Sequence, residues 1–405
     1  MKNALVGQSG GPTAVINSSL AGVFESCKLH GAEKVYGMKN GIQGFVDGNV
    51  CLLDERLKTP LDIELLKRTP SSFLGSCRYK LPAPDENIPL YEKIFECLSR
   101  YDIGYFFYIG GNDSMDTIAK LTVYANRINS DIRFIGVPKT IDNDLKCTDH
   151  TPGYGSAAKY IAGTMKEIIL DASVYNKKSV TVVEIMGRNA GWLTGAAALA
   201  SSNDCAGTDM IFLPEIPFDV DRFIEAVKEK TERKNSVVIA VSEGIKLADG
   251  RYVCELSDDV HNVDAFGHTA LTGTARYLAN MLARKLNIKT RSIELSVLQR
   301  CAGHIASRTD ITEAYQVGGA AVVAAYNGES GKMVCLNRIS DTPYQVTTSL
   351  CDIFSIANFE KKVPIEWIDT ENFNLKPEFL TYVRPLIQAE LTPIFVEGLP
   401  SHLKI

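Results

Sequence analysis

Between Pro138 and Leu145 the chain reads P-K-T-I-D-N-D-L, which packs an ammonium, a hydroxyl and two carboxylates into six positions: Lys139, Thr140, Asp142 and Asp144. That mixture suits phosphoryl transfer. A carboxylate can take the proton of an attacking hydroxyl, a lysine can neutralise charge on the moving phosphoryl group, and further oxygens can serve Mg2+. In an extended stretch, period-two alternation sends Thr140, Asp142 and Asp144 to one side and Lys139 to neighbouring space. The competing reading is a solvated Asx-rich turn, in which the aspartates only cap backbone groups.

Other turns carry chemistry-bearing residues as well. G-Q-S-G-G-P-T places Gly7, Gly10 and Gly11 before an apolar helix-like segment, where backbone N–H groups could cradle an anion. It also reads as a tight turn that needs glycine for steric reasons. It matches neither G-x-G-x-x-G nor the Walker pattern, which weighs against a nicotinamide oxidoreductase and a P-loop kinase. E-I-M-G-R-N-A-G-W offers Gly187 and Arg188 after an apolar run, and Arg188 could hold a phosphate or carboxylate through two N–H groups or form a surface salt bridge. V-S-E-G-I brings Glu243 to a strand end, as an acceptor for sugar hydroxyls or as a solvated side chain. In Y-I-G-G-N-D-S-M-D-T an apolar run empties through two glycines into a helix start, a place for phosphate, yet it carries the carboxylate Asp113. Asn112, Asp113 and Ser114 are also good N-cap residues.

These turns must be held by a scaffold, and the flanking pattern says which kind. N-A-L-V-G-Q, V-Y-G-M, Y-F-F-Y-I-G-G, R-F-I-G-V-P, S-V-T-V-V-E-I-M-G, M-I-F-L-P-E and S-V-V-I-A-V-S-E-G read as strands. Segments beginning at Ala14, Tyr91, Ser114, Ala157, Asp221 and Thr269 read as helices, most with apolar residues at three- and four-residue spacing. The alternation predicts an α/β fold of two domains, each a largely parallel sheet flanked by helices, with a first break near C-T-D-H-T-P-G-Y-G. Ligands in such sheets sit beyond the carboxyl ends of strands, where these turns lie.

The chain has 405 residues, 45% hydrophobic and 22% charged, with a net charge of -5, enough for more than one core. No basic block marks a nucleic-acid partner, so small-molecule chemistry is favoured. The ten cysteines are scattered, with no pair at zinc-ligand spacing. No run approaches the roughly 18 apolar residues of a membrane span, and the N-terminal apolar segment is too short for a signal sequence. A cytoplasmic protein is expected.

Taken in order, S-G-G, F-L-G-S-C-R, G-G-N-D-S, P-K-T-I-D-N-D, V-V-E-I-M-G-R, S-E-G, Q-R and S-R-T-D-I-T-E-A-Y-Q-V-G-G-A-A-V resemble the phosphofructokinases through most of the chain. The resemblance implies that Asp142 is the base for the C1 hydroxyl of fructose 6-phosphate, with Lys139 and Asp113 also at the catalytic centre. It implies that Thr140, Ile141, Met186, Gly187, Arg188 and Glu243 hold the sugar phosphate, and that Arg291 and Arg300 grip its 6-phosphate. Gly10, Gly11, Arg78, Asp113 and Lys139 would bind the donor, with Mg2+ between the donor oxygens and the G-G-N-D-S loop. ATP users in the family carry glycine where Asp113 stands, and pyrophosphate users carry aspartate. A larger, charged side chain there occupies and repels the α-phosphate position. Lys139 fits the same donor, and Ile42 stands where several ATP users place an aromatic residue against adenine.

The resemblance also has departures. Asn112 replaces the usual aspartate, which shifts Mg2+ toward Asp113, Asp142 or Asp144, with Asn112 and Asp113 kept as candidate ligands. Val297 replaces a histidine, and Ser179 an arginine that reaches in from a neighbouring subunit, a charge that Lys177 or Lys178 could supply. The expected domains are 1–150 plus about 300–345 for the donor, 151–299 for the sugar phosphate, and 346–405 packing across both, in a homodimer or homotetramer. The expected activity is reversible transfer from pyrophosphate to fructose 6-phosphate. An ATP-dependent phosphofructokinase and a non-catalytic sugar-phosphate sensor are the rivals.

Overall fold

The structure, a computed structural model, describes residues 2–257 and 271–404. Its large sheet contains β1 (Asn3–Gln8), β2 (Val35–Met38), β3 (Val50–Leu52), β4 (Ile103–Gly110) and β5 (Arg133–Pro138). The smaller sheet contains β6 (Ser179–Ile185), β7 (Met210–Phe212), β8 (Ser236–Ser242) and β9 (Lys289–Glu294). The chain then returns to the large sheet as β10 (Lys332–Asp341) and β11 (Tyr344–Asp352). The strand orders are β11-β10-β5-β4-β1-β2-β3 and β7-β8-β6-β9. Within these two sheets the pairings are parallel except β2 with β3 and β10 with β11, as expected for sheets built largely from strand–helix units.

Both sheets are covered on both faces, which explains why their strands read as nearly continuous apolar runs. In β4, Phe107 and Ile109 face the layer that holds the helices Ile16–Leu29 and Arg308–Tyr326, while Phe106 and Tyr108 face the helices Ile88–Arg100 and Asn112–Arg127. In β6, Val183 and Ile185 pack toward the helix Tyr154–Ser173, and Val180 and Val182 toward Val220–Arg233 and Thr274–Leu286.

Some elements depart from the sequence expectation. β9, K-T-R-S-I-E, is a polar sheet edge with no apolar run to announce it. β10 and β11 form an antiparallel ribbon whose outer residues are solvated. The expected extension boundary at 346 falls inside β11. Beyond it the chain packs Phe379, Val383 and Leu386 under the smaller sheet, while the N–H of Leu403 reaches Thr69 Oγ1 at 2.9 Å beside the large one. The helix expected from Thr269 is seen from Thr274, and Thr269 and Ala270 lie outside the described residues.

Candidate active site

Turns after β1, β4, β5, β6 and β8 converge on an open cleft of about 820 Å³. Its lining includes Gly10, Gly11, Arg78, Asn112 and Asp113 from the large-sheet turns, Met186, Arg188 and Glu243 from the smaller-sheet turns, and Arg300, with Lys139, Thr140, Ile141, Asp142 and Asp144 among its walls.

The glycine turn is left-handed at Gly10, with φ +77°, so a side chain there is strained whatever the space. A Cβ on Gly10 would stand 3.2 Å from Lys139 Nζ, and one on Gly11 would stand 3.2 Å from Arg300 Nη1. The missing side chains therefore let two cations from different elements close on one turn. Lys139 Nζ donates to Gly11 O at 2.7 Å, and Ser76 Oγ donates to Gly10 O at 2.6 Å, which docks the F-L-G-S-C-R segment. Ser9 and Ser114 hydroxyls bond one another and tie the glycine turn to the helix after β4.

The P-K-T-I-D-N-D segment does not continue as the extended stretch considered above. Asn143 is left-handed, with φ 55°, and its side chain donates to Tyr382 Oη and accepts from Thr151 N, so the alternation is broken. Lys139 and both aspartates line the one cleft. Thr140 Oγ1 donates to Asp142 Oδ2 at 3.1 Å and accepts from Asp142 N at 3.1 Å, which fixes that carboxylate. Burial raises the Asp142 carboxyl above its ordinary range, opposed by the Thr140 bond and by Lys139 and Arg300. Burial also brings Asp144 up to about 7, with Asp142 and Glu360 adding to the rise, and brings Glu243 up to about 8. Lys139 falls to about 8 because its ammonium is buried, with Asp142 and Asp144 opposing the fall. The cleft thus holds proton-accepting and cationic groups poised near neutrality.

Gly187 donates its N–H to Glu243 Oε1 at 3.4 Å, and Met186 donates its own to Gln299 Oε1 at 3.2 Å. The second bond seats the short helix carrying Arg300 against the M-G-R turn. Gly187 is among the expected substrate residues but does not line the cleft itself.

Asp113 occupies the first turn of the helix Asn112–Arg127, and the N-cap is Gly111, with no side-chain capping bond. The capping role considered above therefore shrinks to an interaction with the helix dipole. Asn112 Oδ1 is buried in the cleft wall and has no partner among the described residues. Among those residues no three His, Cys, Asp or Glu side chains group as a metal cage. Mg2+ commonly uses few protein ligands and fills its shell from phosphates and water, so an orphaned amide oxygen beside a carboxylate fits it.

Arg291 is not brought to this cleft. It stands in β9 opposite Thr181, with Nη1 3.3 Å from Asp171 Oδ2, and lines a depression with Lys177 and Ser179 at the far end of β6. Strand polarity is the reason, since the cleft lies at the carboxyl ends of the strands. Val297 is exposed outside the cleft lining, and Ile42 is buried in the core with its N–H donated to Tyr108 Oη at 3.0 Å. Ile42 is thus no wall of the cleft. Conversely, Lys146, Asn189, Asn358, Phe359 and Glu360 line it without having been singled out from the sequence. The last three come from an irregular stretch after β11, which has no periodicity or motif to signal a site.

The chain belongs to the phosphofructokinase family, whose model matches residues 3–325. It is 40% identical to the pyrophosphate–fructose 6-phosphate 1-phosphotransferases of Methylococcus capsulatus and Halomonas elongata, covering in each case 100% of this chain and 96% of the relative. The crystal structure of a pyrophosphate-dependent phosphofructokinase from Marinobacter aquaeolei superposes with a TM-score of 0.89 at 38% identity, covering 100% of this chain and 96% of that one. No helix among the described residues is long and apolar enough to cross a membrane.

Proposed function

We infer that this chain transfers a phosphoryl group reversibly from pyrophosphate to the C1 hydroxyl of fructose 6-phosphate, giving fructose 1,6-bisphosphate and phosphate. The observation that carries the reading is the single cleft in which Asp142 and Lys139 lie beside both the Gly10–Gly11 turn with Asp113 and the Arg188, Glu243 and Arg300 wall. The full-length relatives named for this reaction support the same donor.

In this mechanism Arg300 and Arg188 hold the sugar phosphate, Glu243 accepts from sugar hydroxyls, and Thr140, Ile141, Met186 and Gly187 shape the acceptor site. Asp142 takes the C1 proton as the C1 oxygen attacks the near phosphorus and the bridging P–O bond of pyrophosphate breaks. Its raised pKa improves it as an acceptor. Lys139 stabilises charge on the transferred group, and Gly10, Gly11 and Arg78 hold the departing phosphate. Asp113 fills the space that an α-phosphate would need. Asn112 and Asp113 would hold Mg2+, which when bound neutralises donor oxygens.

Under this reading residues 1–150 with about 300–345 bind the donor, 151–299 bind the sugar phosphate, and 346–405 pack across both. Arg291 can reach a sugar phosphate only in a neighbouring copy, with Lys177 and Lys178 at the same strand end, so a homodimer or homotetramer in the cytoplasm completes the proposal. Exchange of Asp142 for serine tests the centre: kcat should fall at least about a hundredfold, with KM for fructose 6-phosphate nearly unchanged. Near-normal turnover at the optimal pH would remove Asp142 from the mechanism.

A further inference from the structure

The stretch from Asn358 to Val363, outside the family match at 3–325, touches several loops of the cleft within six residues. Asn358 Nδ2 lies 3.4 Å from Asp116 Oδ1 on the helix that Asp113 opens. Glu360 Oε1 accepts from Asn189 Nδ2 at 2.9 Å, next to Arg188. Val363 N and Gly191 N share Glu215 Oε1, at 3.0 and 2.8 Å. This stretch therefore bonds to elements of both sheets.

Lys361 makes the largest set of these contacts. Its N–H donates to Asp144 O at 2.7 Å, and its carbonyl accepts from Trp192 Nε1 at 3.0 Å. Its ammonium donates to Asp149 O at 2.6 Å and to Thr148 O at 3.2 Å, while lying 5.2 Å from the centroid of the Trp192 ring. One residue thus joins both ends of the excursion from Asp144 to Asp149 to the aromatic cluster under the smaller sheet. A half-buried lysine carries a desolvation cost, and here its ammonium donates to backbone carbonyls and not to a carboxylate. That geometry fits a side chain retained to hold a loop in register.

We propose that Asn358–Val363 is a strap that sets the position of the acceptor loop relative to the donor turn, with Lys361 as the positioning residue. The inference rests on the phosphotransferase reading, because it assigns the strap to the alignment of Asp142 with the transferred group. A misplacement of about 1 Å between reacting groups lowers rate by about a hundredfold without requiring loss of ground-state binding. Lysine at this position supplies charge and reach, and arginine, which stacks well on an aromatic ring, preserves both in part.

The test compares Lys361→Met and Lys361→Arg in the full chain, with kcat normalised to the native fraction from near-UV circular dichroism. Lys361→Met should lose about a hundredfold in kcat, with KM for fructose 6-phosphate and for the donor changed less than about threefold. Lys361→Arg should recover at least about a tenth of wild-type kcat. Equal loss in both variants, or full turnover in Lys361→Met, overturns the proposal. If Lys361→Met does not fold, the exposed Glu360→Ala decides: a kcat loss of about tenfold or more supports the strap, and unchanged kcat overturns it. Every variant is assayed with the donor that the wild-type protein uses, so inactivity of wild type with pyrophosphate would sink the functional reading without bearing on the strap.

Discussion

Exchange of Lys139 for methionine keeps the aliphatic volume of a fully buried side chain and removes its ammonium. The ammonium donates to Gly11 O at 2.7 Å and sits beside Asp142 and the glycine turn. A charged hydrogen bond to a phosphoryl oxygen contributes about 1.5–3 kcal/mol. A unit charge about 4 Å away contributes up to about 4 kcal/mol at an effective dielectric of about 20. These overlap, so the loss should be about 3–4 kcal/mol, or about 10²–10³-fold in kcat/KM for pyrophosphate. Stability should change little. Burial holds the folded pKa near 8 against an ordinary 10.5, so the charged lysine destabilises the fold below about pH 8 and that penalty is relieved as pH rises toward 10.5. Methionine escapes this penalty but leaves Gly11 O without its donor, and the two effects oppose each other. Steady-state assay of fructose 1,6-bisphosphate from pH 6 to about 10 supplies the second arm. Wild-type turnover should fall above about pH 8 as Lys139 deprotonates, and the residual activity of Lys139→Met should lack that limb. Retention of wild-type kcat/KM within about threefold, or an unchanged basic limb in the variant, would mean that the Lys139 ammonium does not act on the transferred group.

Asp113→Gly should weaken pyrophosphate use and raise kcat/KM for ATP by about tenfold or more, since removing a charge about 4 Å from an α-phosphate relieves about 1 kcal/mol in a water-like setting and up to about 4 at lower dielectric. Loss of the first-turn carboxylate and introduction of glycine should cost about 1–2 kcal/mol of helix stability, read as a lower Tm; a folded variant with full pyrophosphate activity and no gain with ATP makes Asp113 a helix-dipole residue only. Arg300→Ala should raise KM for fructose 6-phosphate at least about tenfold, because a charged phosphate contact contributes about 1.5–3 kcal/mol; an unchanged KM would mean that Arg300 does not hold the sugar phosphate.

Much of the scaffold was legible because β1, β4, β5, β6 and β8 are covered on both faces and had to be continuous apolar runs. The turns that follow them form the candidate site, and Asp142, Lys139, Arg188 and Glu243 all line its cleft. What sequence could not supply came from long-range closure. β9 is polar because it is an edge, and β10 with β11 returns to the first sheet after a long excursion, which no local pattern encodes. The left-handed Asn143 ends the apparent extended alternation, and Lys139, Thr140, Asp142 and Asp144 all line the cleft, which period-two alternation does not predict. Asn358, Phe359 and Glu360 line the cleft because the segment after β11 folds back over it, held by bonds of Asn358, Glu360, Lys361 and Val363 to distant parts of the chain. Arg291 lies at the opposite end of its strand from the cleft, a fact set by strand polarity and invisible in its spacing.

The central claim is the identity of the phosphoryl donor. Purified wild-type protein should be given fructose 6-phosphate and Mg2+ with either pyrophosphate or ATP at equal concentration, and fructose 1,6-bisphosphate followed directly. Formation should be rapid with pyrophosphate and reverse when fructose 1,6-bisphosphate and phosphate are supplied instead, and kcat/KM for ATP should be lower by at least about a hundredfold, the scale of excluding a charged group from an occupied site. Equal or greater turnover with ATP would contradict pyrophosphate as the donor.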